Sequence, residues 1–178
     1  GQTFETEMVA ATPQTAQAEM AGLLDAGITF VVTLADAATT VALADQADGR
    51  ALVVNALATD DVLRGADCRA NLLHVTPSDA MRADALAQYL VWKRWFDWYL
   101  ISGSHPEDQA LAEAYRRAAT KFGASIVEER VYEDTGGARR TDTGHVLVQA
   151  QIPVFTQRAP KHDVVVAADH AGVFADYL

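Results

Sequence analysis

The chain has 178 residues, half of them apolar, enough to bury the core of one medium domain or two small lobes. Its formal charge is −10 and its only lysines are Lys93, Lys121 and Lys161, which excludes the basic stripe of a nucleic-acid binder. No apolar run reaches the length of a membrane-spanning helix, and Cys68, the sole cysteine, cannot form a disulfide within the chain.

In chain order, residues 4–10 alternate Phe4, Thr6, Met8 and Ala10 with Glu5, Glu7 and Val9, which predicts a short strand. Thr12-Pro13 then opens a helix whose apolar face is Ala16, Met20, Leu23 and Leu24, and Gly27 ends it. Residues 28–34 are rich in β-branched side chains and predict a buried strand. An Ala-rich helix over 36–48 and a second buried strand over 51–55 follow. Residues 59–71 are irregular, with room for one helical turn, and 71–75 predict a short strand. Pro77-Ser78 begins a helix that runs to about residue 94, and the Trp-rich stretch over 96–101 is the next strand. Ser104-His105-Pro106-Glu107 carries capping and proline signals for a helix. That helix has the stripe Leu111, Ala114, Tyr115, Ala118 and Phe122, and stops at Gly123. Then come a strand over 125–132, a polar Gly-Gly loop over 133–140, and a helix over 145–157 that kinks or stops at Pro153. The strand 163–168 and the start of a helix over 171–178 close the chain. Trp92 and Trp95 share a helix face if the third helix extends that far.

Strands alternating with helices of ten or more residues predict an α/β fold. Its sheets are Rossmann-like or flavodoxin-like, parallel, and covered by helices on both faces. The irregular passage around 71–77 is the natural boundary between two lobes.

The motifs of nucleotide binding, zinc proteolysis and serine hydrolysis are not in the sequence, and no cofactor is expected. What remains is a set of polar residues where predicted strands end. They are Thr33 and Asp36 after the second strand, Asn55 and Thr59 after the third, and Ser104, His105 and Asp108 after the Trp-rich strand. Asp134 follows the next strand, and Asp169 and His170 the last. Open α/β sheets bind ligands beyond the carboxyl ends of their strands, so these ten are the candidate ligand residues. The same residue types cap helices and make turns, and that reading stays open for each. Asp169-His170 alone does not make a metal site.

Five stretches carry a resemblance. The passages NLLHVTPSDAMRADALAQYL and WYLISGSHPEDQALAEAYRRAATKFGASIVEERVY resemble the type I periplasmic solute-binding proteins of ABC transporters, the branched-chain amino acid binders among them. YLVWKRW, RRTDTGHVLVQAQIPVFTQ and VVVAADHAGVFADYL are similar to a narrower branch, associated with pyrroloquinoline-quinone-dependent alcohol dehydrogenase systems. The resemblance implies a non-enzymatic binder with a periplasmic address. A small polar ligand would sit in an interlobe cleft, and the membrane subunits of a transporter would be partners. It also implies incompleteness, with residues 1–73 part of lobe 1 and 74–178 part of lobe 2. Such a piece exposes sheet edges and is expected to form homodimers. The loops TLADAATT and NALATDD carry alanines where amino-acid binders use hydroxyls. A ligand-sensing or protein-docking module on the same fold is the alternative, and a flavodoxin-like enzyme the third reading.

Overall fold

The computed structural model describes residues 3, 5–133, 150, 151, 153–170, 172 and 173. The chain forms two compact units, Gly1–Ser78 and Asp79–Leu178.

In the first unit, α1 (Ala16–Asp25), β1 (Phe30–Thr33), α2 (Ala37–Gln46), β2 (Leu52–Asn55), a 3₁₀ turn (Asp61–Arg64) and β3 (Leu72–His74) follow one another. The three strands are parallel in the order β1-β2-β3. The alternation of a strand puts Val31, Val53 and Leu72 in one row on one face. That row meets Met20 and Leu24 of α1 and Leu43, Ala44 and Ala47, which closes a small core. Each fully buried side chain of the Leu, Val or Met kind contributes roughly 1.5–3 kcal/mol. On the other face Phe30 and Val32 are 72% and 66% exposed, with Leu73 beside them.

The alternation over 4–10 does not become a strand. Residue 3 and residues 5–10 take no regular structure, Met8 is 93% exposed, and residue 4 lies outside the described residues. Alternation needs a neighbouring strand to pair with, and this stretch has none among the described residues. The first helix also starts later than Thr12-Pro13 predicts, because Thr12 and Thr15 close a turn of their own ahead of it.

The second unit runs α3 (Asp79–Trp92), β4 (Asp97–Gly103), α4 (Pro106–Phe122), β5 (Ser125–Tyr132) and β6 (Val164–Ala168), with residues 150, 151 and 153–157 helical before β6. Its sheet is parallel in the order β5-β4-β6. β4 is central and nearly all its residues are buried. Trp98 and Leu100 pack with Ala83, Leu90, Leu111, Tyr115 and Val166 on the face covered by α3 and α4. Tyr99 and Ile101 pack with Tyr132 and Phe155 on the other. Gly123 takes φ +78° at the end of α4, a left-handed position that glycine fills at no steric cost. α3 ends at Trp92, so Trp95 is not on a helix. Arg94, at φ +63°, turns the chain, and Trp95 N–H closes back onto Leu90 O at 3.0 Å. The Gly-Gly loop from residue 134 onward and the helix over 171–178 fall on residues outside the described ones, apart from 172 and 173, as do residues 145–149 and 152.

Candidate functional site

Parallel strands bring every strand C-terminus, and the N-terminus of every helix between them, to one edge of the sheet. In the second unit that edge collects Ser102 and Gly103 at the end of β4, Tyr132 at the end of β5 and Asp169-His170 beyond β6. It also collects Asp79 on the first turn of α3, and Asp108 and Gln109 on the first turn of α4.

Asp108 is the centre. It is 4% exposed, and its Oδ1 accepts the backbone N–H of His170 at 2.8 Å. Its Oδ2 lies against Gly103 so closely that a Cβ there would fall 2.1 Å from it. The same Cβ would lie 3.0 Å from the Tyr132 hydroxyl oxygen. Gly103 is therefore required by this approach and not by its backbone angles. Burial pushes the Asp108 carboxyl above its ordinary value, helped by the charge of Asp169 and opposed by the His170 N–H. Gln109 Nε2 donates to Ser102 Oγ at 3.1 Å and to Gly103 O at 2.6 Å, which fixes the end of β4 to the start of α4.

Asp79 is equally buried at 4%, and its Oδ1 makes no hydrogen bond within the chain. It stands 3.5 Å from His170 Nε2 and 3.8 Å from an Arg82 guanidinium nitrogen. His170 thus connects two buried carboxylates, through its backbone to Asp108 and through its ring to Asp79. Asp169 is half-buried beside them, Ser104 is half-buried, and His105 is exposed at the cap of α4. Asp134 lies outside the described residues. Among the described residues, no group of three His, Cys, Asp or Glu is arranged to hold a metal.

In the first unit, Thr33, Asn55 and His74 sit side by side across the strand ends. Asn55 is fully buried and its amide is committed locally. Nδ2 donates to Ala58 O at 2.7 Å and to His74 Nδ1 at 3.1 Å, while Oδ1 accepts the N–H groups of Leu57 and Ala58. Burial, with Arg64 nearby, lowers the His74 pKa, so a neutral ring is there to accept. Asp36 caps α2, accepting Thr39 N–H at 2.8 Å and the Thr39 hydroxyl at 2.9 Å, and those bonds hold its carboxyl below the usual range. Thr33 is buried and Thr59 half-buried.

Of the ten residues marked in the sequence, the structure gathers Asp108, Asp169 and His170 into one cluster. Asp36 and Asn55 serve their own turns. Sequence reasoning missed Asp79, Gln109, Gly103 and Tyr132. A signal for Asp79 existed, since a helix feeding a parallel strand starts at the ligand edge.

Each unit is an α/β layer with a parallel sheet and polar residues at its strand ends. A family model for periplasmic binding proteins matches residues 7–167, and the chain belongs to that family. No curated protein matches the sequence. Among solved structures, a periplasmic binding protein from Burkholderia mallei aligns with 93% of this chain and 42% of its own, at 14% identity and a TM-score of 0.62. An ABC transporter substrate-binding protein from Desulfitobacterium hafniense, in complex with Leu, aligns over 93% and 47%, at 18% identity and a TM-score of 0.68. At these identities the likeness is one of fold. The chain spans less than half the length of either structure.

Proposed function

We propose that the protein is a solute-binding component of an ABC transport system, holding a small polar ligand at the strand ends without transforming it. The observation that carries this reading is the buried Asp79–His170–Asp108 arrangement at the ligand edge of a sheet, in a chain of the periplasmic binding family. Asp79 Oδ1 is buried and makes no hydrogen bond, so it has acceptor capacity for a ligand N–H or O–H. His170 Nε2 stands 3.5 Å from Asp79 Oδ1, so ring and carboxylate can orient one another beside a ligand. A periplasmic location and partnership with transporter membrane subunits go with this role. The narrower likeness of YLVWKRW and VVVAADHAGVFADYL supports a ligand connected with quinone-dependent alcohol oxidation.

The test is a thermal-shift screen over amino acids, short alcohols, aldehydes, carboxylates, the quinone cofactor, and di- and trivalent metals. A true ligand at a hundred times its dissociation constant stabilises the fold by about 2.7 kcal/mol. The expected result is one ligand class that shifts the wild type and loses that shift in Asp79→Asn and His170→Gln. No shift with any member of the panel, or a shift that both variants retain, would overturn the reading.

A further inference from the structure

The opposite end of the same sheet carries a different chemistry. There α3 and α4 end and the strands begin. Tyr89 and Trp92 stand on the last turns of α3, and Trp95 and Phe96 follow on the way into β4. All four are exposed, Trp92 to 73%, whereas Trp98 three residues on is fully buried. The core is closed without them. The four are also held in place. The Tyr89 and Trp92 ring centroids are 6.1 Å apart, and the Lys93 ammonium lies 4.9 Å from the Trp92 centroid and 5.6 Å from that of Tyr89. Trp95 O accepts the Trp98 indole N–H at 2.7 Å, which ties the surface loop to the core.

Charge concentrates there as well. All three lysines of a chain with net charge −10 stand at this end: Lys93 just after α3, Lys121 on the last turn of α4, and Lys161 just before β6. Arg94 joins them. Three acids share this end: Asp84 pairs with Lys121, Asp163 accepts the N–H groups of Phe96 and Asp97 at 2.8 and 3.0 Å, and Asp97 is exposed at the start of β4. Helix dipoles account for a lysine at a helix end. They do not account for four exposed aromatic rings beside it.

Exposed Trp and Tyr flanked by Lys and Arg match the layered chemistry of a lipid headgroup region, where amphipathic rings sit at the boundary and cations meet phosphates. We propose that this end of the second unit is a membrane-surface contact that docks on anionic phospholipid. An indole standing off the end of a helix enters a soft interface without needing a matching pocket. The overall −10 opposes the approach. Screening limits that repulsion to about 8 Å at physiological ionic strength, so the local cations govern contact.

The test is co-sedimentation of the full chain with vesicles of phosphatidylcholine alone and of phosphatidylcholine with phosphatidylglycerol, at low and high salt. The expected result is binding to the anionic vesicles, weakened by salt, with a blue shift of tryptophan emission. Lys93→Ala and Arg94→Ala should each weaken binding by about fivefold, the factor that ~1 kcal/mol per basic residue gives. Trp92→Ser should reduce the blue shift, with Trp95 carrying what remains, while leaving the circular dichroism spectrum and melting point unchanged. No binding to anionic vesicles, equal binding to neutral ones, or indifference to all three substitutions would overturn the proposal. So would capture by an acidic polypeptide in place of vesicles, since the partner would then be a protein.

Discussion

Asp108 shows how one side chain can belong both to the fold and to a candidate site. Its carboxyl is pushed up by burial, so relative to the unfolded chain the protonated form is the favoured one in the fold. The stability it contributes is therefore greatest at acid pH and is lost as pH rises through the raised folded value. Asn at this position keeps an oxygen for the His170 N–H and carries no charge. Asp108→Asn should melt higher than the wild type at neutral pH, and the difference should shrink as pH falls into the acid range, as calorimetry would show. Asp108→Ala leaves the His170 N–H without its acceptor and should cost about 1–3 kcal/mol in denaturant unfolding. Asp108 could be marked from sequence because it follows a strand end and opens a helix. Its contact with residue 170, 62 positions away, could not, because nothing local in the sequence encodes it. Asp36 carried the same signal and serves its own turn, and Asn55 serves its own turn and the neighbouring strand at His74. A short polar side chain at a strand end satisfies nearby backbone groups and ligands by the same geometry.

The joint between β4 and α4 does most to shape the candidate site. Gly103 ends the strand, Pro106 starts the helix, and Gln109 reaches back to bond both Ser102 and Gly103. A methyl group on residue 103 would fall 2.1 Å from Asp108 Oδ2. Gly103→Ala should therefore cost about 1–3 kcal/mol, the usual penalty for overpacking. The double variant Gly103→Ala, Asp108→Ala should cost less than the sum of the two, because the second change removes the colliding group. A double-mutant cycle by urea denaturation measures this directly. Elements with strong periodicity were legible at this scale. The strand over 125–132 and the helix ended by Gly123 stand where the pattern puts them. The alternation over 4–10 misled because an alternating pattern reports a face without its partner strand. The end of α3 misled because Arg94 reaches a left-handed angle that sequence assigns to glycine or asparagine.

Over the whole molecule, the two units treat their sheets differently. The second has apolar residues packed on both faces of β4, whereas the first leaves Phe30, Val32 and Leu73 open on one face. Parallel sheets are ordinarily buried on both sides, and an open apolar face invites association. The net charge of −10 holds copies apart at neutral pH, and that repulsion vanishes near the pI of about 4.8. Light scattering should rise steeply as pH falls toward that value, and Val32→Glu should reduce it. The alternation of strands and helices, and hence the parallel architecture, was legible from periodicity. Which faces stay open was not, since an apolar strand reads the same whether a helix covers it or not.

All three tryptophans lie between residues 92 and 98, inside the second unit. The first unit is therefore silent to indole fluorescence. Emission from this protein reports the unfolding and occupancy of one unit alone, with Trp98 as the shielded emitter and Trp92 and Trp95 open to quenchers. Acrylamide should quench the native signal in two classes, one accessible and one protected. If the units melt separately, circular dichroism will show a transition that fluorescence does not follow.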